Sequence, residues 1–324
     1  MMKIIGRLIA AVVSLIFLFS CGSFNSDIDY KDEMRKFVIE ISEFARTADS
    51  EFIVIPQNGI ELITIDGEET AETDEAYMDA IDGNGQEDLF YGYNADDEST
   101  AASERSYLQA FLNKSKAGGN VILVTDYCST TANVDDSYLL NKNAGYISFA
   151  AEHRELDNIP GYPNPLHSEN AETITSLDEI ENFLYLINPE NYSTKATFIS
   201  AVTSTNYDLI IMDLFFTDGS QFTSAETAQL RMKANGGKRL VICYMSIGEA
   251  EDYRYYWNAD WNIIKPDWIE KENPYWAGNY KVRYWDEDWK DIIYGNENSY
   301  TNSILDAGFD GVYLDIIDAF EYFE

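Results

Sequence analysis

The sequence predicts a single α/β domain built as a (β/α)8 barrel, in which eight parallel strands are surrounded by helices. The first observation is a series of short, nearly continuous apolar runs, which are typical of parallel strands buried on both faces. Seven runs stand out, and a weaker eighth run lies at residues 77–81. The seven are residues 52–55, 121–125, 183–187, 209–212, 240–245, 282–285 and 312–314.

Helical patterns separate the strand-like runs, and this alternation is the second observation that favours a parallel sheet with helices outside it. Some segments carry an apolar stripe at helical spacing, such as Phe37, Ile41 and Phe44, and others begin at Ser or Thr caps or end at glycine. Residues 126–178 contain three prolines and polar clusters, and we predict a long surface excursion there. Helices are predicted at residues 33–46, 103–116, 193–203, 224–234 and 300–307.

Residues 1–20 are predicted to be a signal peptide and not part of the fold. Lys3 and Arg7 precede a short apolar run, which is typical of a secretory signal and too short for a spanning helix. The run ends in Leu18-Phe19-Ser20-Cys21, which resembles a bacterial lipoprotein box in which Cys21 would be lipidated. We therefore expect an exported protein, lipid-anchored at the bacterial cell envelope or otherwise secreted. Residues 21–30 would form a tether and residues 31–324 the single domain.

The charge balance argues against nucleic acid as a partner. The chain has 22 basic and 57 acidic residues and a net charge of −35. A surface of this sign repels phosphate backbones and anionic lipid headgroups, so we expect membrane contact only through the N-terminal lipid anchor. The same charge would favour a cationic ligand, or it would only keep an exported protein soluble. Cys128 and Cys243 lie in or beside apolar runs, which predicts buried thiols rather than a disulfide.

Six of the eight predicted strands are followed by a carboxylate, and the ends of parallel strands are where α/β proteins bind ligands. A ring of acids is unfavourable for stability because like charges repel and their desolvation is costly. It therefore indicates chemistry, although about half of these acids would only cap the helices that follow. The acids in question are Glu87, Asp126, Asp213, Glu249, Asp286, Asp315 and Asp318.

Other residue types narrow this chemistry. The chain has two histidines, His153 and His167, so a Ser-His-Asp or Cys-His triad has little support and a zinc site lacks ligands. The sequence contains no Gly-rich phosphate loop of the right form. Paired-carboxylate chemistry remains, as in glycoside hydrolysis, where one carboxylic acid protonates the leaving oxygen and a second carboxylate acts as nucleophile or base. We therefore expect no cofactor and no metal.

Three motifs carry a resemblance to a known family. They are Pro56-Gln57-Asn58-Gly59, the segment YMSIGEAEDYRYYW at residues 244–257, and the segment GFDGVYLD at residues 308–315. These motifs resemble the endo-α-1,4-polygalactosaminidase-like glycoside hydrolases, a TIM-barrel group. The resemblance implies hydrolysis of a polysaccharide or oligosaccharide of α-1,4-linked galactosamine, a cationic amino sugar.

The order of these motifs differs from that of the family, in which the strand with Gly-Phe-Asp-Gly precedes Pro-Gln-Asn-Gly. We interpret the chain as a circular permutant in which family strands six, seven and eight precede strands one to five, although a rearranged gene sequence would give the same order. A closed barrel tolerates such a cut because the separated elements remain neighbours in space. The permutation predicts that residues 52–55 pair in parallel with residues 312–314. It also predicts that helix 33–46 packs over the last strand.

The resemblance also implies the site residues. Asp315 would be the nucleophile or stabilising carboxylate. Glu87, in a loop after strand 77–81, would be the acid/base. Asp318, Glu249 and Asp213 are near enough to exchange roles with them. Glu249 and Arg254 would equally form an internal ion pair. Further sugar contacts would come from Tyr244, Gln57, Asn58, Asp126 and Trp285.

Two other functions remain open at this point. One is a non-catalytic glycan-binding lipoprotein that captures glycans without cleaving them. The other is a carbohydrate enzyme that uses the acid ring as oxygen ligands for a divalent metal, although no ligand spacing supports it.

Overall fold

The computed structural model describes residues 28–324, so the predicted signal peptide, Cys21 and most of the tether lie outside the described residues. Within this range the strands are β1 (Ile53–Pro56), β2 (Gly83–Glu87), β3 (Val121–Tyr127), β4 (Ile147–Ala151), β5 (Phe183–Tyr185), β6 (Leu209–Asp213), β7 (Leu240–Ser246), β8 (Glu249–Glu251), β9 (Ile269–Glu272), β10 (Asn279–Val282) and β11 (Gly311–Asp315). The α-helices are α1 (Tyr30–Ala48), α2 (Glu75–Ala80), α3 (Ala102–Ala117), α4 (Thr131–Ala144), α5 (Lys195–Thr203), α6 (Ser224–Leu230), α7 (Glu287–Ile293) and α8 (Tyr300–Asp306).

Eight of these strands run parallel, in two sheets with the orders β1-β11-β7-β6-β5 and β2-β3-β4. The sheets adjoin where Gln57, just after β1, forms a parallel bridge with Gly85 in β2. On the other side β4 and β5 lie next to each other, with the ring centroids of Phe149 and Phe183 5.8 Å apart. No strand pairing joins β4 to β5 within residues 28–324, so the architecture is a parallel α/β arrangement without a hydrogen-bonded closure.

The two ends of the described chain meet at the β1–β11 pair. Ile53 lies opposite Gly311 and Pro56 opposite Leu314, which confirms the predicted parallel pairing. A side chain at Gly311 would overlap the carbonyl oxygen of Ile53, so the close approach of the two strands requires glycine there. Helix α1 buries Phe37 and Ile41 of the predicted stripe, while Phe44 is half-buried. The helix packs against α8 and the turn at Ile317–Tyr322, directly after β11.

The expected strand at residues 77–81 is wrong, because this segment lies in α2 and the turn after it. Asp74 caps the helix by accepting a hydrogen bond from the backbone N–H of Tyr77 at 3.0 Å. A short apolar run cannot be distinguished from a buried helical segment by periodicity alone. The strand in this region is β2, whose sequence Gly-Asn-Gly-Gln-Glu gives no apolar signal.

The predicted excursion at residues 126–178 is also partly wrong, because it contains α4 and β4. Helix α4 has a weak apolar stripe and many Asn and Asp residues, which hid it from the sequence pattern. Residues 282–285 do not form a parallel strand; β10 ends at Val282 and belongs to a small antiparallel sheet with the order β8-β10-β9. Four parallel strands therefore precede β5, and the expected division into three and five strands does not hold.

Two further features complete the fold. Cys128 and Cys243 are buried and unpaired, as predicted. In the described part of the chain, no helix has both the length and the apolar character needed to cross a bilayer.

Candidate active site

A cleft of about 980 Å³ lies at the carboxyl ends of the parallel strands. Glu87 is the last residue of β2, Asp213 of β6 and Asp315 of β11, and all three line this cleft. The strand exits therefore converge on one site. Glu87 ends a strand and does not lie in a loop after residues 77–81, because the strand predicted there is a helix.

Three side-chain donors hold the Glu87 carboxylate. Oε2 accepts hydrogen bonds from Gln57 Nε2 at 2.6 Å and Asn58 Nδ2 at 3.0 Å, and Oε1 accepts one from the Tyr127 hydroxyl. Gln57 is itself fixed, because its Oε1 accepts a hydrogen bond from the Tyr185 hydroxyl at 2.8 Å. Three donors to one carboxylate restrict its orientation. The Glu87 side chain is thus held in place where it lines the cleft.

Asp315 has a different environment. Its Oδ2 accepts one side-chain hydrogen bond, from the Tyr244 hydroxyl at 2.6 Å. Burial in the cleft and the neighbouring charge of Glu87 raise the pKa of Asp315 to about 7. Burial and the charge of Asp315 raise the pKa of Asp318 to about 8. The site therefore contains two carboxyl groups, Asp315 and Asp318, whose raised pKa values allow them to keep a proton near neutral pH.

The strand order places Glu87 and Asp315 on either side of β1, which lies between β2 and β11. Gln57, just after β1, contacts both neighbouring strands. It forms a bridge to Gly85 in β2, and its backbone N–H donates a hydrogen bond to the carbonyl oxygen of Leu314 in β11 at 2.8 Å. The two carboxylates therefore come from strands separated by β1, and both line the same cleft.

The raised pKa of Asp315 predicts a pH-dependent stability. In the folded chain Asp315 keeps its proton up to about pH 7, whereas an unfolded Asp, with a pKa of about 3.9, has already released its proton at pH 5. Because the folded state binds the extra proton, the free energy of unfolding falls as the pH rises from 5 to about 7. We expect Asp315→Asn, which has no charge to bury, to lose less stability than wild type between pH 5 and pH 8. The expected difference is on the order of 3 kcal/mol, measured by urea denaturation. Asp286→Asn, a change in the capping residue of α7, is the matched control, and equal losses in Asp315→Asn and wild type would contradict the prediction.

Arg254 forms an ion-pair cluster at the opposite side of the cleft. Its guanidinium lies 2.8 Å from Asp213 Oδ2 and also donates to both carboxylate oxygens of Glu251. The expected ion pair between Glu249 and Arg254 is therefore wrong, because other acids occupy the guanidinium. The positive charge of Arg254 compensates the negative charge of Asp213. Asp213 is therefore a weaker candidate for exchanging roles with Asp315.

Glu249 lines the cleft but is completely buried. Its Oε1 accepts hydrogen bonds from Asn273 Nδ2 at 2.9 Å and from the Tyr322 hydroxyl at 3.0 Å. Its Oε2 has no hydrogen-bond partner among residues 28–324, and burial raises the pKa of this carboxyl group. The hydrogen bonds from Tyr322 and Asn273 oppose this rise in the pKa, and they fix the orientation of the side chain.

Asp126 and Trp285 are not brought to the cleft. The Asp126 carboxylate is fully buried within β3. It accepts four hydrogen bonds that connect the chain after β2 to α4. The donors are the backbone N–H groups of Phe90 and Tyr91, the Ser137 hydroxyl and the Asn141 amide. Trp285 packs on Phe323 and Tyr30, with ring centroids 4.8 and 5.1 Å away. Both residues therefore have packing contacts in place of the sugar contacts that the resemblance implies. Gln57, Asn58, Tyr244 and Asp318 do line the cleft.

Sequence reasoning missed several cleft residues, among them Tyr127, Tyr185 and Arg154. Tyr127 and Tyr185 position Glu87, directly and through Gln57, and Arg154 stacks over the Tyr127 ring at 4.2 Å. A tyrosine inside an otherwise apolar strand was the available signal for Tyr185, since a buried hydroxyl needs a partner. No comparable signal marked Arg154, which lies beyond the unpredicted β4. Among the described residues, no group of three or more His, Cys, Asp or Glu side chains is placed to hold a metal ion.

Comparison with known proteins gives a family match in the C-terminal part of the chain. The sequence model of Glycoside-hydrolase family GH114 matches residues 185–324. This segment carries Asp213, Tyr244, Glu249 and Asp315. The match covers less than half of the chain, so the similarity to this family is limited to that segment.

Three relatives are similar to part of the chain. A protein of Methanocaldococcus jannaschii, MJ1477, is 39% identical over 153 residues, which cover 47% of this chain and 42% of the relative. A Thermotoga maritima protein is 37% identical over 37% of this chain and 36% of its own length. A Deinococcus radiodurans protein is 38% identical over 39% of this chain and 38% of its own length. The chain thus matches less than half the length of these relatives, and all three are described only as uncharacterized proteins.

Proposed function

We propose that the protein is a glycoside hydrolase that cleaves α-linked amino-sugar polymers such as α-1,4-galactosaminan by a two-carboxylate mechanism. The observation that carries this proposal is the pair of Glu87 and Asp315 at two strand ends in one cleft, where Glu87 accepts three side-chain hydrogen bonds and Asp315 accepts one. Glycosidic bond cleavage needs such a pair, one group to protonate the leaving oxygen and one to act as nucleophile or base. The family match over residues 185–324 supports the same reaction class.

The environments favour Asp315 as the general acid and Glu87 as the nucleophile or stabilising carboxylate. Asp315 has a pKa of about 7, which suits a group that donates a proton near neutral pH. Glu87 accepts three hydrogen bonds, which suits a nucleophile or stabilising carboxylate. These roles are the reverse of those that the family resemblance implies.

The charges around the cleft support a cationic substrate. A second pocket of about 280 Å³ shares Asn58, Glu87 and Asp318 with the cleft. Its lining adds further carboxylates and no Lys or Arg from the described residues. Negative potential of this kind attracts the ammonium groups of a deacetylated amino-sugar chain. The added acids are Glu61, Asp88, Glu104 and Glu321.

We also propose that the eight parallel strands form a circularly permuted TIM barrel. In support, the family match begins at residue 185 and contains β6, β7 and β11, while β1 to β4 precede it and β1 pairs with β11. An experimental structure in which β4 and β5 are hydrogen-bonded would establish the closed barrel, and a solvent-filled gap there would contradict it.

From the sequence, we propose that the protein is exported and lipid-anchored at Cys21. Fatty-acid labelling tests this proposal: the wild type should be labelled and Cys21→Ala should not.

The proposed function is tested with a partially deacetylated α-1,4-galactosamine polymer. We expect the purified protein to release reducing ends, and Asp315→Asn to release far fewer, since the leaving oxygen then lacks a proton donor. Asp286→Asn, outside the cleft, is the matched control and should retain wild-type activity. Binding of the polymer without cleavage by wild type would favour a glycan-binding lipoprotein. Absence of both binding and cleavage would show that the family's substrate does not transfer to this chain.

A further inference from the structure

An aromatic rim lies on the side of the cleft opposite Glu87. Tyr253, Tyr255 and Trp276 line the cleft, yet their exposed fractions are 62%, 47% and 57%. They lie near Arg254, which pairs with Asp213 at the end of β6. Strand β6 is four strand positions away from β2, the strand that ends in Glu87. Large aromatic side chains that remain this exposed beside a cleft are typical of ligand-binding surfaces.

Two of these rings are held in place, Tyr253 by the ion-pair cluster and Tyr255 by the neighbouring ring of Phe215. The Tyr253 hydroxyl donates a hydrogen bond to Glu251 Oε1 at 2.5 Å, and Glu251 in turn pairs with Arg254. The Tyr255 ring stacks on Phe215 with the ring centroids 5.6 Å apart and an angle of 29° between the planes. Rings that are fixed before a ligand arrives lose little side-chain entropy on binding. Arg254 therefore acts as a positioning residue.

Trp276 is tied to the same cluster through the backbone. It lies in the turn between β9 and β10, and its carbonyl oxygen accepts a hydrogen bond from the N–H of Asn279 at 3.2 Å. Asn279 is paired with Glu251 across the β8–β10 ladder. The backbone at Trp276 is thus connected to the strand that carries Glu251, and the three rings lie on the same part of the cleft wall.

We propose that Tyr253, Tyr255 and Trp276 form an aromatic platform that stacks on a pyranose ring of the glycan, away from the bond that is cut. This proposal rests on the proposed function, because its ligand is the same amino-sugar chain. Aromatic faces carry partial negative charge, so they attract both the C–H groups of a sugar ring and an ammonium substituent. The platform extends the binding surface from the acid pair towards the β9–β10 turn.

The platform is tested by calorimetric titration of a deacetylated α-1,4-galactosamine hexamer into the Glu87→Gln protein, which should bind without turnover. Adding Trp276→Ala is expected to raise Kd about tenfold, equivalent to ~1.4 kcal/mol of stacking. Trp276→Phe should recover part of this loss because it retains an aromatic face. Tyr275→Ala is the matched control, since Tyr275 is the adjacent residue in the turn, is 89% exposed and is not part of the cleft lining. It should change Kd less than twofold.

Failure of the platform differs from failure of the proposed function. Equal Kd values for Trp276→Ala and its parent, or equal losses in Trp276→Ala and Tyr275→Ala, overturn the platform even if wild type cleaves the polymer. Trp276-dependent binding without cleavage by wild type supports the platform and overturns the hydrolase. Absence of binding by the Glu87→Gln protein together with absence of cleavage by wild type overturns both.

Discussion

Replacing Glu87 with Gln is expected to lower kcat on the galactosamine polymer by a factor on the order of 10³. The amide cannot carry the negative charge that opposes the developing positive charge at the anomeric carbon. The amide also replaces one carboxylate oxygen with an N–H₂ group, which cannot accept the hydrogen bonds now donated to that oxygen. Steady-state kinetics with Glu43→Gln, an exposed change on α1, provides the matched control. A loss of less than tenfold in Glu87→Gln would contradict a direct role in the reaction.

An aryl glycoside with a good leaving group separates the roles of the two carboxyl groups. Such a substrate needs little protonation of its leaving oxygen, so loss of the general acid matters less for bond cleavage. With Asp315 as the acid, Asp315→Asn should retain much more activity on the aryl glycoside than on the polymer, whereas Glu87→Gln should lose activity on both. The opposite pattern would restore the assignment that the family resemblance implies.

Replacing Lys233 with Ala is expected to lower the free energy of unfolding by roughly 3–5 kcal/mol. Lys233 Nζ lies 2.8 Å from Asp208 Oδ1, and both side chains are fully inaccessible to solvent. Removal of the ammonium would leave the Asp208 carboxylate buried and without its counter-charge. Asp208 directly precedes β6, at the end of the sheet opposite the cleft, so catalysis by the folded variant should be unchanged.

Urea denaturation of Lys233→Ala beside Lys36→Ala tests this prediction. Lys36 is the matched control because it is half exposed and pairs with Asp32 and Glu33 at 2.9 Å on the surface of α1. Exposed pairs contribute about 0.2–1 kcal/mol, so the two variants should differ by several-fold. Similar effects of the two substitutions would show that the buried pair is not a major contributor to stability.

The sequence by itself determined most of the strands and the contact between the ends of the chain. β1, β3, β5, β6, β7 and β11 were predicted because parallel strands buried on both faces consist of apolar residues, which leave a direct signal. The order of the motifs predicted the pairing of β1 with β11, since a cyclic arrangement of strands places the first beside the last. Helix α1 was predicted from its apolar stripe.

Only the tertiary structure decided where β2 lies. Its Gly-Asn-Gly-Gln-Glu sequence is polar and extends because β3 and the end of β1 pair with it on either side. A side chain at Gly85 would overlap the Tyr313 hydroxyl, so the glycine serves the packing of the barrel-like interior and not a turn. A local pattern cannot report a requirement set by residues more than 200 positions away.

The tertiary structure also decided which acids face the cleft. Asp126 and Asp315 look equivalent in the sequence, since each follows a run of apolar strand residues. Strand β3 continues to Tyr127, so Asp126 lies inside the strand and points to α4, while Tyr127 reaches Glu87. Successive side chains of a strand alternate between its two faces. A shift of one residue in the position of a carboxylate along the strand therefore moves it from the face of the cleft to the face that packs against the helices. Residue type was therefore readable from the sequence, but orientation depended on strand length and pairing in the folded protein.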